Sequence, residues 1–390
     1  MPYSVRLMNK ISSAVNDILG SGYEISETAL NPQALVVRSA DLHAFERPDS
    51  LLAIARAGAG VNNIPIEECG KDGVVVFNTP GANANAVAEL VIAAMLLAGR
   101  DIIGGANWVQ TQTSLDAGTL TKTIEKEKGK YVGPELRGKT LGVVGLGAIG
   151  ALVANAAVGL GMEVVGFDPF ISAEHAWALS RSVRKAGSLD DILANCDFVS
   201  AHVPLVAETR GMFSAAAIGR MKKDAMLLNF SRGELVDSAA VISSIQEKRL
   251  RSYATDFPTP GMLGISGILA FPHLGASTPE SEENCAVMAA NELKDFIETG
   301  AILNSVNLPD VPLGAVAPGS SRVTIIHKNT PGMLGGITAA ISEDCANIAH
   351  LTNKSRGDLA YTALDIDGNL TQGCLDKLKA LPNVLRLRVI

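Results

Sequence analysis

A glycine-rich turn between two apolar runs constrains this chain more than any other feature. The segment KTLGVVGLGAIGALVANAAVGLGMEVVGFDP holds a strand-like run, then Gly145-x-Gly147-x-x-Gly150, a helix, and a second strand-like run that ends at Asp168. Gly145 permits a tight turn, Gly147 lets the backbone approach a pyrophosphate, and Gly150 lets the helix pack closely on the strand. Asp168 follows Gly150 by eighteen residues, where a carboxylate accepts hydrogen bonds from ribose hydroxyls. The pattern predicts a Rossmann unit that binds NAD rather than NADP, because Asp168 would repel a 2′-phosphate.

Composition excludes several classes of protein. A net charge of -7 and an aromatic fraction of 4% argue against binding to nucleic acid or to anionic membranes. The five cysteines have no CxxC spacing, which fits reduced thiols without a disulfide framework or a metal site. The first residues lack an apolar stretch of signal-peptide length. We therefore expect a soluble, cytoplasmic protein that acts on a small molecule.

Three further segments each follow an apolar run and carry polar side chains. They present Ser231 and Arg232, then Asp256, then His273. Oxidation of an alcohol needs a base for the hydroxyl proton and a cation that orients a carboxylate. His273 suits the first role because imidazole titrates near neutral pH, and Arg232 suits the second through its planar fork. A single histidine is more often structural, so the position of His273 behind a strand is what favours catalysis.

With these motifs in order, the chain resembles the D-isomer-specific 2-hydroxyacid dehydrogenase family over residues 1 to about 305. The resemblance implies that Arg232 binds the substrate and that His273 is the acid/base. It implies contacts to the cofactor along the nucleotide domain, at Gly145, Gly147, Ala148, Ile149, Gly150, Asp168, His202, Val203, Pro204, Phe230, Ser231, Asp256, Gly275 and Ala276. It implies a substrate side formed by Arg38, Ser39, Gly58, Gly60, Asn62 and Asn83. Arg38 is a candidate for a phosphate group, and a surface ion pair is its equally weighted alternative.

One motif departs from the family pattern. The family has a glutamate a few residues after the position of Asp256, hydrogen-bonded to the catalytic histidine. Here the segment DFPTPGM places Pro260 and Gly261 at that point. Asp256 and Glu282 are candidate substitutes, and the sequence does not choose between them or exclude an unassisted histidine.

The last seventy residues resemble the ACT domain, a small ferredoxin-like module that binds amino acids. The features are His327-x-Asn329 and Gly332 after a first strand, and Asn347 before a second. By resemblance, L-serine would bind between two such domains through these four residues. The alternative is a dimerisation module without a ligand.

The predicted class is α/β, with a Rossmann NAD domain, a flavodoxin-like substrate domain and a C-terminal α+β ferredoxin-like domain. The boundaries are 1–100 with 283–305 for the substrate domain, 101–136 for an insertion or loop, 137–282 for the NAD domain, 306–320 for a linker and 321–390 for the C-terminal domain. A homodimer through the NAD domains is expected from the family, and a homotetramer is possible through the C-terminal modules.

The two resemblances together imply oxidation of 3-phospho-D-glycerate at the first step of L-serine synthesis. Other 2-hydroxy acids, such as glycerate or 2-hydroxyglutarate, are the first alternative. The second is a non-catalytic NAD(H)-sensing regulator, which Arg232 and His273 disfavour and the missing glutamate mildly favours. A DNA-binding regulator is disfavoured by the acidic balance.

Overall fold

The computed structural model describes residues 2–390. They form two compact units, one built from residues 2–83 and 279–390 and the other from residues 84–278. Among the described residues, no helix combines the length and the apolar character needed to cross a membrane.

The first part of the first unit is a parallel sheet of the flavodoxin-like type. Its strands are short runs rich in Val, Ile and Ala that are buried on both faces, as covered parallel strands require. The sheet order is β2-β1-β3-β4-β5. In chain order the elements are β1 (Tyr3–Leu7), α1 (Ala14–Leu19), β2 (Tyr23–Ser26), β3 (Ala34–Val37), β4 (Ala53–Arg56), α2 (Ile66–Lys71) and β5 (Val75–Asn78).

The second unit contains a seven-stranded parallel sheet in the order β12-β11-β10-β9-β6-β7-β8. The order reverses between β6 and β9, and this switch point is where Rossmann folds bind dinucleotides. The strands are β6 (Thr140–Val144), β7 (Glu163–Phe167), β8 (Val183–Lys185), β9 (Phe198–Ala201), β10 (Met226–Asn229), β11 (Ser252–Thr255) and β12 (Ile268–Ala270). The helices are α3 (Ala84–Gly99), α4 (Ile102–Gln110), α5 (Ala117–Glu127), α6 (Ala148–Gly159), α7 (Ala173–Ala178), α8 (Leu189–Asn195), α9 (Ala215–Arg220) and α10 (Ser238–Gln246).

Helix α3 belongs to the second unit, whereas the sequence-based boundaries place residues 84–100 with the substrate domain. Its buried face, which includes Val91 and Met95, packs in one cluster with Leu141, Val153 and Phe198 of the nucleotide sheet and its helices. These partners are distant in the sequence, so the apolar pattern of α3 alone does not indicate which sheet it covers.

The prediction of a loop over residues 101–136 is wrong, because the segment forms α4 and α5. Asp101 accepts a hydrogen bond from the Gly104 N–H at 2.9 Å and so caps α4. Asp116 caps α5 by accepting from the N–H groups of Gly118 and Thr119 at 3.0 and 3.1 Å. An aspartate at the N-cap satisfies donors that the first turn leaves free, and these two residues were the overlooked signal.

The C-terminal part of the first unit follows a long helix. Its elements are α11 (Pro279–Thr299), β13 (Ser320–Lys328), α12 (Met333–Glu343), β14 (Ile348–Arg356), β15 (Leu359–Asp367), α13 (Gln372–Ala380) and β16 (Val384–Val389). The antiparallel sheet has the order β14-β15-β13-β16. This is the ferredoxin-like arrangement that the strand–helix–strand–strand–helix–strand pattern predicts. We call residues 320–390 the C-terminal module.

One face of the module's sheet packs on the C-terminal end of α11. The last carbonyls of a helix lack intrahelical partners, and cations stabilise that end. Here the module supplies the donors: Tyr361 Oη to Gly300 O at 2.6 Å, Arg322 Nη1 to Thr299 O at 2.7 Å, and Arg388 Nη1 and Nη2 to Phe296 O and Ile297 O at 3.1 and 2.8 Å. Ile326 and Tyr361 join the same apolar cluster as Phe296 and Phe77.

Three glycines outside the module allow this close approach. A Cβ on Gly70, Gly73 or Gly300 would lie within 2.9 Å of a module side chain, at Leu359 Cδ1, Arg386 Cβ and Thr324 Cγ2 respectively. The predicted linker is extended, but Leu308 and Val311 are fully buried in the first unit's core. The module is therefore a packed part of the first unit and is not tethered by a free linker.

Glu292 of α11 is a buried carboxyl group that favours its protonated form. Oε1 accepts a hydrogen bond from Asn304 Nδ2 at 2.8 Å, whereas Oε2 is buried with no hydrogen-bond partner among residues 2–390. Burial raises the pKa of Glu292 to about 8. The folded state binds this proton more tightly than the unfolded chain does. The associated stability is therefore complete below the ordinary glutamate pKa of about 4.5 and is lost as the pH rises through 8.

We expect Glu292→Gln to stabilise the protein at alkaline pH, because glutamine carries no charge to bury. Urea unfolding should show a gain over the parent protein of roughly 2–4 kcal/mol at pH 9 and a much smaller difference at pH 5. Glu283→Gln, at an exposed position of the same helix, is the control. An equal effect of Glu292→Gln at both pH values would contradict the assignment.

Candidate functional site

The glycine turn after β6 has the predicted geometry. Gly145 has φ +91°, and a Cβ there would lie 2.5 Å from the carbonyl oxygen of His202. A Cβ on Gly150 would lie 2.0 Å from the Gly145 carbonyl oxygen, so only glycine allows α6 to start this close to the strand. A Cβ on Gly147 would meet no protein atom within 4 Å. The open side of the turn therefore lies at Gly147, beside the N-terminus of α6.

Asp168 follows β7 and is held by backbone donors. Its Oδ2 accepts from the Leu146 N–H at 2.8 Å and its Oδ1 from the Phe170 N–H at 2.9 Å. The first bond joins the carboxylate to the glycine turn. Asp168 is therefore fixed beside the turn, with lone pairs left for further donors. Leu146 holds Asp168 through its backbone N–H, so the identity of its side chain gives no sign of this contact.

A cleft of about 520 Å³ lies next to this turn and opens at the switch point. Its walls include Gly145, Gly147, Asp168, His202, Val203 and Pro204, together with Phe167, Pro169, Ile171, His175, Val206 and Met212. The lining is mainly apolar with a few polar groups, as is usual for small-molecule sites. Six residues predicted to contact the cofactor therefore share one cleft.

His202 is neutral at this cleft. Its Nε2 lies 2.8 Å from Ser200 Oγ, and its Nδ1 is buried without a hydrogen-bond partner among the described residues. Burial lowers the pKa of His202 to about 4. His202 therefore contributes an uncharged ring to the lining of the cleft.

The Ser231–Arg232 loop is shaped by Asn229, a residue that the sequence reading missed. Asn229 is fully buried at the end of β10. Its Nδ2 donates to the Arg232 carbonyl at 2.8 Å, and its Oδ1 accepts from the Ser231 N–H at 3.2 Å. The guanidinium of Arg232 is exposed and donates to the Ser231 carbonyl at 2.6 Å. A polar residue at the end of an otherwise apolar strand is the sequence signal that could have identified Asn229 as a loop-positioning residue.

Two of the predicted residues in this region face inward. Ser231 Oγ donates to the Ala201 carbonyl at 2.8 Å. The ring of Phe230 is buried and lies 6.0 Å from that of Phe271. The Phe230 side chain is therefore part of the apolar core of the second unit.

His273 lies on the exposed loop after β12, near Asp256. Its ring centroid is 4.9 Å from that of Phe257. Asp256 is buried at the end of β11, accepts a hydrogen bond from the Gly275 N–H, and interacts electrostatically with His273 and Arg232. Burial raises the pKa of Asp256, and the charges of His273 and Arg232 oppose this shift. The structure therefore brings Arg232, Asp256 and His273 to the same edge of one sheet.

The loop after β12 approaches the rest of the unit closely at Gly275. A Cβ on Gly275 would lie 3.3 Å from Val87 of α3 and 3.4 Å from Asp256 Oδ2. Ala276 follows and is half-buried. Pro260 and Gly261, which stand in place of the family glutamate, form a 3₁₀ turn with Met262.

In the first unit, Arg38 and Ser39 follow β3 on a well-supported loop. The Asn9 side-chain oxygen accepts from the N–H groups of Arg38, Ser39 and Ala40, at 3.2, 3.2 and 2.9 Å. The Arg38 guanidinium forms an ion pair with Glu282 at 2.7 Å. Glu282, one candidate for the missing glutamate, is therefore engaged with Arg38.

Gly58 follows β4 with φ +146°, and a Cβ there would lie 1.9 Å from Arg56 Nη1. The Arg56 guanidinium therefore covers this glycine, a contact that the sequence did not suggest. Asn62 is exposed in the following turn, and Gly60 and Asn83 are half-buried.

The four residues predicted to bind serine lie at two ends of the module's sheet. His327 is buried, with Nε2 2.8 Å from Thr362 Oγ1. Asn329 Nδ2 donates to the Gly357 carbonyl at 3.2 Å, and Gly332 starts α12 with φ +84°. Asn347 instead donates to Asp367 at 2.6 Å.

Asp367, the partner of Asn347, pairs with Ser320, which is the first residue of β13. Asn329 follows Lys328, the last residue of β13. Eight steps of an antiparallel strand span about 27 Å. In a single copy of the module, these four residues therefore cannot all contact the same bound serine molecule.

Comparison with known proteins identifies the family of this chain. Residues 92–275 match the family model of the D-isomer specific 2-hydroxyacid dehydrogenase NAD binding domain. D-3-phosphoglycerate dehydrogenase of Escherichia coli K12 is 32% identical over 355 residues, which are 88% of this chain and 82% of that protein. The enzyme of the same name from Methanocaldococcus jannaschii is 32% identical over 88% of this chain, which spans 63% of that longer protein.

A solved structure gives a similar result. The NAD⁺-bound 3-phosphoglycerate dehydrogenase of Entamoeba histolytica superposes with a TM-score of 0.60 and 26% identity, covering 79% of this chain and 99% of that one. The sequence match extends over most of both the chain and the Escherichia coli relative. The chain belongs to the D-isomer-specific 2-hydroxyacid dehydrogenase family and is an NAD-dependent oxidoreductase.

Proposed function

We propose that this chain oxidises 3-phospho-D-glycerate to 3-phosphohydroxypyruvate with NAD, the first step of L-serine biosynthesis. The observation that carries the proposal is the arrangement of Arg232, Asp256 and His273 after three neighbouring strands of one sheet. The choice among 2-hydroxy acids is supported by the relatives named D-3-phosphoglycerate dehydrogenase.

The residues present fit NAD. The turn at Gly147 leaves room for a pyrophosphate at the N-terminus of α6, where backbone N–H groups favour negative charge. Asp168 accepts from ribose hydroxyls, and His202 lines the adjoining cleft. Ala148 and Ile149 open α6 next to this turn. Bound NAD supplies the acceptor for the hydride that leaves C2 of the substrate.

The protein's own groups handle the proton and the carboxylate. His273 takes the proton of the C2 hydroxyl as the C2–H bond breaks and the carbonyl forms. Arg232 holds the substrate carboxylate with its planar guanidinium, which binds both oxygens at once. Asp256 is the nearby buried carboxyl group that favours the imidazolium formed. We propose Asp256 as the substitute for the family glutamate, since Glu282 is engaged with Arg38.

We further propose that L-serine binds between two copies of the C-terminal module. Strand β14 is an edge of its sheet, and an unpaired edge can pair with a second copy. Antiparallel pairing of two β14 strands would bring Asn347 of one copy next to Gly357 of the other. Since Gly357 contacts Asn329, this pairing would complete two equal sites.

A homodimer through the second unit accounts for an exposed apolar surface there. Exposed large side chains lie on α3, α4 and α6 and in the segment after α5: Leu96, Ile102, Ile103, Val109, Val132, Leu152 and Leu160. We infer that these side chains form one patch, because contiguous exposed apolar surface is typical of an interface. Combined with pairing of the modules, this interface would give a homotetramer. We assign the protein to the cytoplasm, in agreement with five cysteines that are all unpaired.

Activity measurements test the proposal directly. NADH formation should be compared for D-3-phosphoglycerate, D-glycerate and D-2-hydroxyglutarate, with and without L-serine, and NADH consumption measured with 3-phosphohydroxypyruvate. We expect selective turnover of the phosphorylated pair and inhibition by serine. Preference for an unphosphorylated acid would support a dehydrogenase but contradict 3-phospho-D-glycerate as its substrate. NADH binding without turnover of any acid would indicate a sensor.

A further inference from the structure

The ion pair between Arg38 and Glu282 joins two elements of the first unit. Arg38 follows β3, and Glu282 lies in the first turn of α11. Arg38 Nη1 and Glu282 Oε1 are 2.7 Å apart, and the two side chains are 36% and 44% exposed. Because the helix N-terminus also favours a carboxylate, Glu282 is held at this point by two interactions.

The main chain at Arg38 is fixed far more strongly than a surface ion pair requires. Its N–H is one of three that donate to Asn9. Its carbonyl accepts from Arg56 Nε at 3.1 Å, and Asn63 Nδ2 lies 3.5 Å away. The Arg56 side chain, which starts from the neighbouring strand β4, therefore fixes the backbone at Arg38, while the Arg38 guanidinium itself pairs with Glu282. A half-exposed guanidinium on a rigid backbone can bind an anion through two parallel hydrogen bonds.

An anion can bind at Arg38 only if it displaces the Glu282 carboxylate. A half-exposed ion pair contributes little to stability, so an incoming dianion can displace the carboxylate. Displacement leaves the negative charge of Glu282 close to the bound anion, which weakens binding. The penalty applies only to substrates whose charge reaches Arg38.

We propose that Glu282 is a built-in competitor for the substrate's phosphate group at Arg38 and so sets the affinity for phosphorylated over unphosphorylated 2-hydroxy acids. This rests on the proposed function, in which the substrate carries a phosphate. Glu282 is a specificity-determining residue in this scheme and takes no part in proton transfer.

The test compares Glu282→Gln with the parent enzyme and with Glu283→Gln, which removes the same charge from the next residue of α11 and leaves the Arg38 pair intact. We expect the KM for D-3-phosphoglycerate to fall about two- to fivefold in Glu282→Gln, the range of a surface ion pair. The KM for D-glycerate and the kcat for both acids should stay unchanged, and Glu283→Gln should match the parent.

A binding measurement makes the result independent of turnover. Calorimetric titration with inorganic phosphate should give tighter binding in Glu282→Gln, and no difference when Arg38→Gln is also present. Equal changes for both acids, no change, or a gain that persists with Arg38→Gln would overturn the proposal. If the parent enzyme does not oxidise D-3-phosphoglycerate, the proposed function fails, and the phosphate titration still decides the role of Glu282.

Discussion

Replacing His273 by asparagine is expected to lower kcat by about 10²- to 10⁴-fold, the usual contribution of a positioned general base. Asparagine keeps the polarity and approximate size of the side chain but cannot take the hydroxyl proton at neutral pH. The exposed position of His273 and its single ring contact with Phe257 indicate little loss of stability. Steady-state kinetics at several pH values would measure the effect.

Binding of NADH provides the necessary comparison for this variant. The cleft at the glycine turn is lined by Gly147, Asp168 and His202, so the variant should still bind NADH in a fluorescence titration. His43→Asn changes an exposed histidine that bonds to Asp41, and it should leave kcat unaltered. A His273→Asn enzyme with near-parental kcat would exclude His273 as the base.

Removal of Arg232 has the second large effect. We expect Arg232→Ala to lower kcat/KM by about 30- to 1,000-fold, since truncating one partner of a close charge pair costs about 2–4 kcal/mol. Arg232→Lys should recover only part of this loss, because an ammonium group cannot bind both carboxylate oxygens in one plane. The loss should appear mainly in KM.

Substrates without a carboxylate allow a sharper test of Arg232. If Arg232 binds the carboxylate, the corresponding amide should be a poor substrate of the parent enzyme and should lose little more in Arg232→Ala. Arg184→Ala, which breaks an exposed ion pair with Glu163, is the control. An equal fall in kcat/KM for acid and amide would place the role of Arg232 elsewhere.

The packed C-terminal module affects how regulation can work in this chain. Its sheet supplies hydrogen bonds to the last carbonyls of α11, and the first turn of the same helix carries Glu282. The module and the Arg38 pair therefore contact opposite ends of one rigid element. A change in the module's position would act on α11 directly, without an intervening flexible linker.

The features that can be predicted from the sequence have local signals. The glycine turn, Asp168 and the strand-end positions of Arg232, Asp256 and His273 are short-range patterns, because tight turns and parallel strands place the same demands on neighbouring residues wherever they occur. The order of strands and helices in the last seventy residues likewise followed from alternation and turn residues, and the structure confirms it. Asp101 and Asp116 also carry a local signal, because aspartate is a preferred N-cap residue, and both cap helices in the segment predicted to be a loop.

Features that depend on residues far apart in the chain become visible only in the folded protein. Helix α3 packs on the nucleotide sheet, Asn9 and Asn229 hold loops that carry arginines, and Glu282 pairs with Arg38 across more than two hundred residues. Nothing local in the sequence marks Gly70, Gly73 and Gly300 as the positions where the module's side chains come close. A side chain's long-range partner leaves no periodicity in the sequence, since it is chosen by packing and burial after the elements have formed.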